Sequence, residues 1–90
     1  MAKIYKADGS MVEVEPKNGK DFGLKEMQAI VGGYIEIIDL LDGTFMVLNE
    51  EGKLIGLPYN NMATIMFRKA HHTFDYVVGD VLVCDKSQID

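Results

Sequence analysis

The sequence predicts an α+β domain: a mostly antiparallel, partly coiled sheet of about six short strands with two short helices, in the order ββαββ(β)αβ. Three features predict this class. The first fifteen residues alternate around an Asp-Gly pair, apolar residues then recur at helical spacing, and segments rich in β-branched and aromatic residues follow, separated by turn residues. A length of 90 residues allows one domain, 1–90, with one modest core.

Residues 3–15 predict a β-hairpin. Asp8 and Gly9 interrupt the alternation, and such a pair tolerates the positive φ that tight turns between twisted strands require. On the second strand, Val12 and Val14 alternate with glutamates, so we expect these valines to face the core.

The first helix is predicted from Leu24 to Val31, where apolar residues recur at spacings of three and four. The pair Gly32-Gly33 ends it, because glycine readily adopts the left-handed conformation at a helix C-terminus. A helix this short must pack its apolar side on the sheet to be stable. A minor alternative is that the two glycines let a ligand or partner approach the backbone, with Tyr34 beside them as a stacking surface.

A three-stranded meander is predicted next, from residues 34–39, 44–49 and 53–57, each bounded by turn residues. The turn at 59–61 then caps a short helix that continues to about Phe67. Residues 68–75 are predicted to form a loop, and 76–84 to contain the last strand, with a bend at Gly79-Asp80.

Charge and cysteine content exclude several classes of protein. Nine Lys or Arg against fourteen Asp or Glu give a net charge of −5, without the dense basic surface that binding to long nucleic acids needs. The single cysteine, Cys84, excludes an intramolecular disulfide and a cysteine-cluster zinc site. No apolar run is long enough to span a membrane, and the first residues are not typical of a signal peptide, so we expect a cytoplasmic protein.

Four sequence blocks stand out between residues 24 and 84: VGGYIE (31–36), NEEGK (49–53), LPYNNMA (57–63) and VGDVLV (78–83). In order and spacing they resemble a family of small proteins of unknown function from phages, prophages and other mobile elements. The resemblance implies an accessory protein in the cytoplasm of a host cell and transfers no active site. Because many small phage proteins block host defence, the resemblance also favours a sequestering or inhibitory role.

The segment from Tyr59 to His72 is the most informative for ligand binding. It contains two Lys or Arg and no acid, whereas residues 34–58 contain one base and five acids. A helix N-terminus flanked by amides and an aromatic ring suits a phosphorylated or base-bearing ligand, although strand end, turn and cap explain most of the same residues. The predicted ligand-binding residues are Tyr34, Tyr59, Asn60, Asn61, Thr64 and Arg68.

No catalytic constellation is present in the sequence, so we expect a protein that is not an enzyme. His71-His72 lacks a third ligand at metal-binding spacing, and no cofactor is predicted. The first hypothesis is sequestration of a small cyclic nucleotide or ADP-ribose-type signal, in a homo-oligomer whose interface encloses the ligand. The alternative is a protein-interaction module that inhibits a host defence or regulatory protein through its surface.

Overall fold

The computed structural model describes residues 2–89 and confirms the α+β class with two α-helices and a short 3₁₀ turn. The elements in chain order are β1 (Ala2–Tyr5), β2 (Met11–Val14), α1 (Leu24–Val31), β3 (Ile35–Asp39), β4 (Thr44–Asn49), α2 (Asn61–His71), β5 (Val81–Asp85) and the 3₁₀ turn (Lys86–Gln88). Neither helix is long and apolar enough to cross a membrane within these residues.

The strands form one antiparallel sheet of five strands in the order β2-β1-β5-β4-β3. Two hairpins, β1-β2 and β3-β4, are joined only through β5, which pairs with β1 on one side and β4 on the other. The last strand of the chain is therefore the central one. The free edges of the sheet are β2 and β3.

The two helices pack on opposite faces of this sheet, and each covers its own apolar cluster. On the α1 face, Met27 of the helix packs with Val47 and Leu82 of the sheet. On the α2 face, Ala63 packs with Met46. Both clusters exist because neighbouring strand residues point to opposite faces. Helices cover both faces because β4 and β5 are apolar at successive positions and so need cover on both sides.

Two local features confirm the sequence prediction. In the turn of the first hairpin, the carboxylate of Asp8 accepts hydrogen bonds from the backbone and the hydroxyl of Ser10, at 2.8 and 2.6 Å. At the end of α1, Gly32 is left-handed with a φ of 81°, and its N–H donates to Gln28 at 2.8 Å.

The prediction of a third meander strand at residues 53–57 is wrong, because this segment forms turns. The sheet therefore has five strands. The N–H of Ile55 donates to Glu51 at 3.0 Å and that of Leu57 to Gly52 at 2.9 Å. The apolar side chains in this segment do not alternate with polar ones, and Leu54 is 84% exposed. A strand here would have buried that side chain against the sheet.

Strand β5 begins at Val81, directly after the predicted bend at Gly79-Asp80, which the structure confirms. Two further features differ from the prediction. Helix α2 continues beyond Phe67 to His71, so the loop begins only at the left-handed His72. Val12 is 42% exposed, since it lies on the edge strand β2, beyond the area that α1 covers.

Truncation of Met46 tests the packing of the α2 face. Its side chain is fully buried, so we expect Met46→Ala to lower the free energy of unfolding by about 3 kcal/mol through lost burial and a cavity. Met11→Ala is the matched control, because Met11 is 46% exposed on an edge strand and should change stability by about 0.5 kcal/mol at most. Urea denaturation of both variants measures the difference, and equal effects would contradict the assignment of this core.

Candidate functional site

The predicted ligand residue Asn60 is buried, with 1% of its surface exposed, and its side chain is used within the fold. Its Oδ1 accepts from the N–H of Ala63 at 3.0 Å, which confirms the predicted N-cap of α2. Its Nδ2 donates to the carbonyls of Tyr5, at 2.9 Å, and Gly79, at 2.8 Å. Asn60 thus fastens α2 to the end of β1 and to the segment that precedes β5.

Thr64 and Arg68 also hold the loop that follows α2. The buried hydroxyl of Thr64 accepts from the N–H of Val77 at 2.9 Å and lies 3.3 Å from the carbonyl of the same residue. The guanidinium of Arg68 donates from Nε to the carbonyl of Asp75 at 2.9 Å and from Nη2 to that of Phe74 at 3.0 Å. The polar atoms expected to meet a ligand therefore position residues 74–77.

The other predicted ligand-binding residues lie outside this network of hydrogen bonds. Tyr59 stacks on Tyr76 with ring centroids 5.9 Å apart, and the ammonium of Lys53 lies 4.2 Å from the centroid of Tyr76. Asn61 is exposed in the first turn of α2. Tyr34 is 66% exposed beside the segment that contains Ile55. The structure therefore does not gather the six predicted residues around one pocket.

The four sequence blocks that carry the resemblance converge at one end of the molecule. Asn49 donates from Nδ2 to the carbonyl of Val31 at 3.2 Å, which joins the second block to the first. The N–H of Gly79 donates to the carbonyl of Pro58 at 2.7 Å, which joins the fourth block to the third. A Cβ on Gly52 would lie only 2.9 Å from a methyl of Val78, so the second and fourth blocks also touch.

Strand β3 presents free backbone groups at this end of the sheet. The N–H of Glu50 donates to the carbonyl of Tyr34 at 2.9 Å, which fixes even-numbered residues of β3 as the hydrogen-bonded partners of β4. The backbone groups of Ile35, Ile37 and Asp39 therefore point away from the sheet. The Nε2–H of His71 donates to the outward carbonyl of Asp39 at 2.7 Å, which agrees with this direction.

A cavity of about 130 Å³ adjoins this edge on the α2 face. Glu36 and Ile38 of β3 line it, together with Phe67 of α2. Glu50 lies at the rim, and Leu54 extends beside it almost fully exposed. Space of this size accommodates one large side chain of a partner. Buried Leu48 and Val77 are part of its lining, and so is the ion pair of Lys53 with Asp75.

The surface around the cavity combines exposed apolar groups with carboxylates. Exposed apolar side chains from the loops at this end include those of Tyr34, Leu54, Ile55, Tyr59, Phe74 and Tyr76. We call this cluster the apolar pole. Concentrations of exposed apolar groups are typical of interaction surfaces. Glu36, Glu50 and Glu51 are exposed nearby, and no ion pair within the described residues involves them.

Sequence reasoning missed the strand edge and the cavity, although one signal was present. Leu54 and Ile55 form an apolar pair between Gly52 and Gly56, without alternation. This pattern is typical of apolar side chains displayed on a turn, and it could have been distinguished from a strand on that ground.

Other reactive groups do not form a second chemical centre in the residues described. No group of three His, Cys, Asp or Glu side chains between residues 2 and 89 could hold a metal ion. His71 contacts β3, as above, while His72 is the left-handed cap of α2. Cys84 is buried, and burial followed by the charge of Asp85 raises its pKa to about 11. This thiol is neutral near neutral pH and therefore a poor nucleophile.

Replacement of Asn60 separates its internal role from that of its exposed neighbour. We expect Asn60→Ala to cost about 2–4 kcal/mol of unfolding free energy, because it removes a helix cap and leaves buried carbonyls unpaired. Asn61→Ala should stay within about 0.5 kcal/mol. Thermal and urea unfolding measure both variants. Similar stabilities would contradict the structural role of Asn60.

The reactivity of Cys84 provides a second check. Because its pKa is raised, the thiol stays protonated at about pH 8, and the native fold shields it. We expect Ellman's reagent to modify the native protein at the rate of unfolding and the urea-unfolded protein at once. Fast stoichiometric modification of the native protein would contradict the burial of Cys84.

Comparison with known proteins identifies a family but no characterised relative. No curated protein and no solved structure is significantly similar to the chain. A family model described as Domain of unknown function (DUF3846) matches residues 2–90, which includes both hairpins, both helices and the apolar pole. The chain therefore belongs to the DUF3846 family of domains of unknown function.

Proposed function

We propose that the protein is a non-catalytic binding protein that captures an extended segment of a protein partner along β3. The observation that carries the proposal is the free edge of β3 beside the 130 Å³ cavity. A partner segment can add to the sheet as a sixth strand through the outward backbone groups of Ile35 and Ile37. Main-chain hydrogen bonds then supply affinity, and the cavity supplies specificity.

The chemistry of this edge selects a basic and aliphatic segment. Leu48 and Val77 give the cavity apolar lining for one large side chain. Lys53 in the same lining is paired with Asp75, whereas Glu36 and Glu50 have no ion-pair partner among residues 2–89. Lysine or arginine side chains next to the aliphatic residue would meet these carboxylates. The apolar pole extends the contact beyond the strand, since its tyrosines supply large contact area at small entropic cost.

A sequence resemblance favours an inhibitory role for such capture. The four sequence blocks resemble accessory proteins of phages and mobile elements, and the same blocks build this end of the molecule. A host defence or regulatory protein would then supply the captured segment. Sequestration of a nucleotide-derived signal at the start of α2 has less support. The polar atoms of Asn60, Thr64 and Arg68 form hydrogen bonds with other groups of the fold.

Selection from a random peptide library on the immobilised protein tests the proposal. We expect enriched peptides to alternate aliphatic with Lys or Arg residues, and Ile37→Pro to weaken them at least about tenfold in fluorescence polarisation. Proline at this position removes an outward N–H without breaking a bond to β4. Met11→Pro is the matched control on the other free edge, where the N–H of Met11 also points outward.

A charge reversal sharpens the test. Glu36→Lys should weaken the selected peptides, and a peptide with glutamate in place of its lysine should recover binding to this variant. Equal binding to the Ile37→Pro and Met11→Pro variants would contradict capture at β3. A homodimer lost specifically in Ile37→Pro on sedimentation would also contradict it, because a second copy would then occupy the edge.

A further inference from the structure

A second and larger groove lies on the α2 face, on the other side of the helix from the β3 edge. Its volume is about 640 Å³, within the range of small-molecule sites. Tyr5 of β1 and Val83 of β5 lie at its floor, and Met66 of α2 forms a wall. Leu41, from the turn between β3 and β4, completes the rim.

Two lysines line this groove without an ion-pair partner among residues 2–89. Lys3 is half-buried on β1, and Lys69 is exposed on the last turns of α2. By contrast, Lys53 pairs with Asp75 and Lys86 with Asp39. An acidic protein therefore keeps two free ammonium groups together beside an apolar floor.

The carboxylates near the groove leave these lysines available. Asp42 also lines the groove and stays negatively charged, because hydrogen bonds from the hydroxyl and the backbone of Thr44 to its Oδ1, at 2.5 and 3.1 Å, lower its pKa. It makes no ion pair with either lysine. Glu13 lies opposite Lys3 in the β1-β2 register and makes no ion pair with it.

The rim carries a strained and exposed apolar residue. Leu41 has a φ of 64°, a left-handed conformation that a leucine rarely adopts, and its side chain is 64% exposed. The N–H of Leu41 donates to the carboxylate of Asp39 at 2.8 Å, which helps to hold this conformation. Strain of this kind concentrates at binding sites, where it aims a side chain at a ligand.

We propose that this groove binds a small amphiphilic anion. The apolar or aromatic body of the ligand lies against Tyr5, Met66 and Val83, and its negative group meets the ammonium groups of Lys3 and Lys69. This site is separate from the β3 edge in position and opposite to it in charge. It therefore stands independently of the proposed capture of a protein segment.

Titration with 8-anilinonaphthalene-1-sulfonate, a fluorescent aromatic anion, tests the site. We expect saturable binding of one molecule per chain, and a loss of affinity of about tenfold or more in Lys69→Glu and in Lys3→Glu. Lys25→Glu is the matched control, since Lys25 is exposed on α1, on the opposite face of the sheet. Unchanged cooperative thermal unfolding of each variant excludes probe binding to a loosened core.

Competition identifies the class of anion. Laurate and adenosine monophosphate are both anions, one with an aliphatic body and one with a nucleoside body. Displacement of the probe by either at about 1 mM supports the site. Failure of both to displace it overturns the proposal, as does equal probe affinity in Lys69→Glu and Lys25→Glu. Probe binding should persist in Ile37→Pro, so failure at this groove is distinguishable from failure at β3.

Discussion

Strand β5 is the element on which the rest of the fold depends, because the two hairpins share no hydrogen-bonded ladder without it. Lys3 pairs with Val83 and Met46 pairs with the same residue from the other side. Val81, Leu82 and Cys84 are fully buried, so this strand contributes to the clusters on both faces of the sheet. The pairing of β1 with β5 closes a loop that contains nearly the whole chain, and this closure costs conformational entropy. Buried side chains on both faces offset that cost.

The hydrogen bonds of Asn60 secure this closure at the start of β5. One Nδ2 group joins the carbonyl at the end of β1 to that of Gly79, just before β5, while Oδ1 caps α2. Asp80 adds a contact of its own, since its Oδ1 accepts from the N–H of Ala7 at 3.0 Å. Asn60 therefore couples the placement of a helix to the joining of two hairpins. These hydrogen bonds give the Asn60 amide a structural role within the fold.

Sequence patterns predicted the features that depend on neighbouring residues. The Asp8 turn, the Gly32 cap and the Asn60 cap each follow from the conformation or hydrogen bonding of a short segment, and all three are present. Features that depend on distant contacts were missed. The turns at 53–57 resemble a strand in composition, although the Leu54-Ile55 pair lacks alternation, and β4 pairs with β3 and β5 instead of with this segment.

The same distinction applies to the candidate sites. Exposure of Leu54 had a local signal in the flanking glycines, whereas the outward backbone groups of Ile37 depend on the register with β4. That register also sets which side chains of β3 reach the cavity. The groove of Lys3 and Lys69 was invisible for a stronger reason, since it joins residues from opposite ends of the chain. The sheet topology brings Lys3 and Lys69 to the same groove, and no spacing pattern in the sequence predicts this.

Helix α2 divides one face of the sheet into two surfaces of opposite charge. Phe67 lines the cavity bordered by Glu36 and Glu50, whereas Met66 and Lys69 line the groove that contains Lys3. The net charge of −5 therefore describes the whole surface poorly. Carboxylates without ion-pair partners favour a basic segment at β3, and free ammonium groups favour an anion across the helix. Under the two proposals, α2 separates surfaces that would select partners of opposite charge.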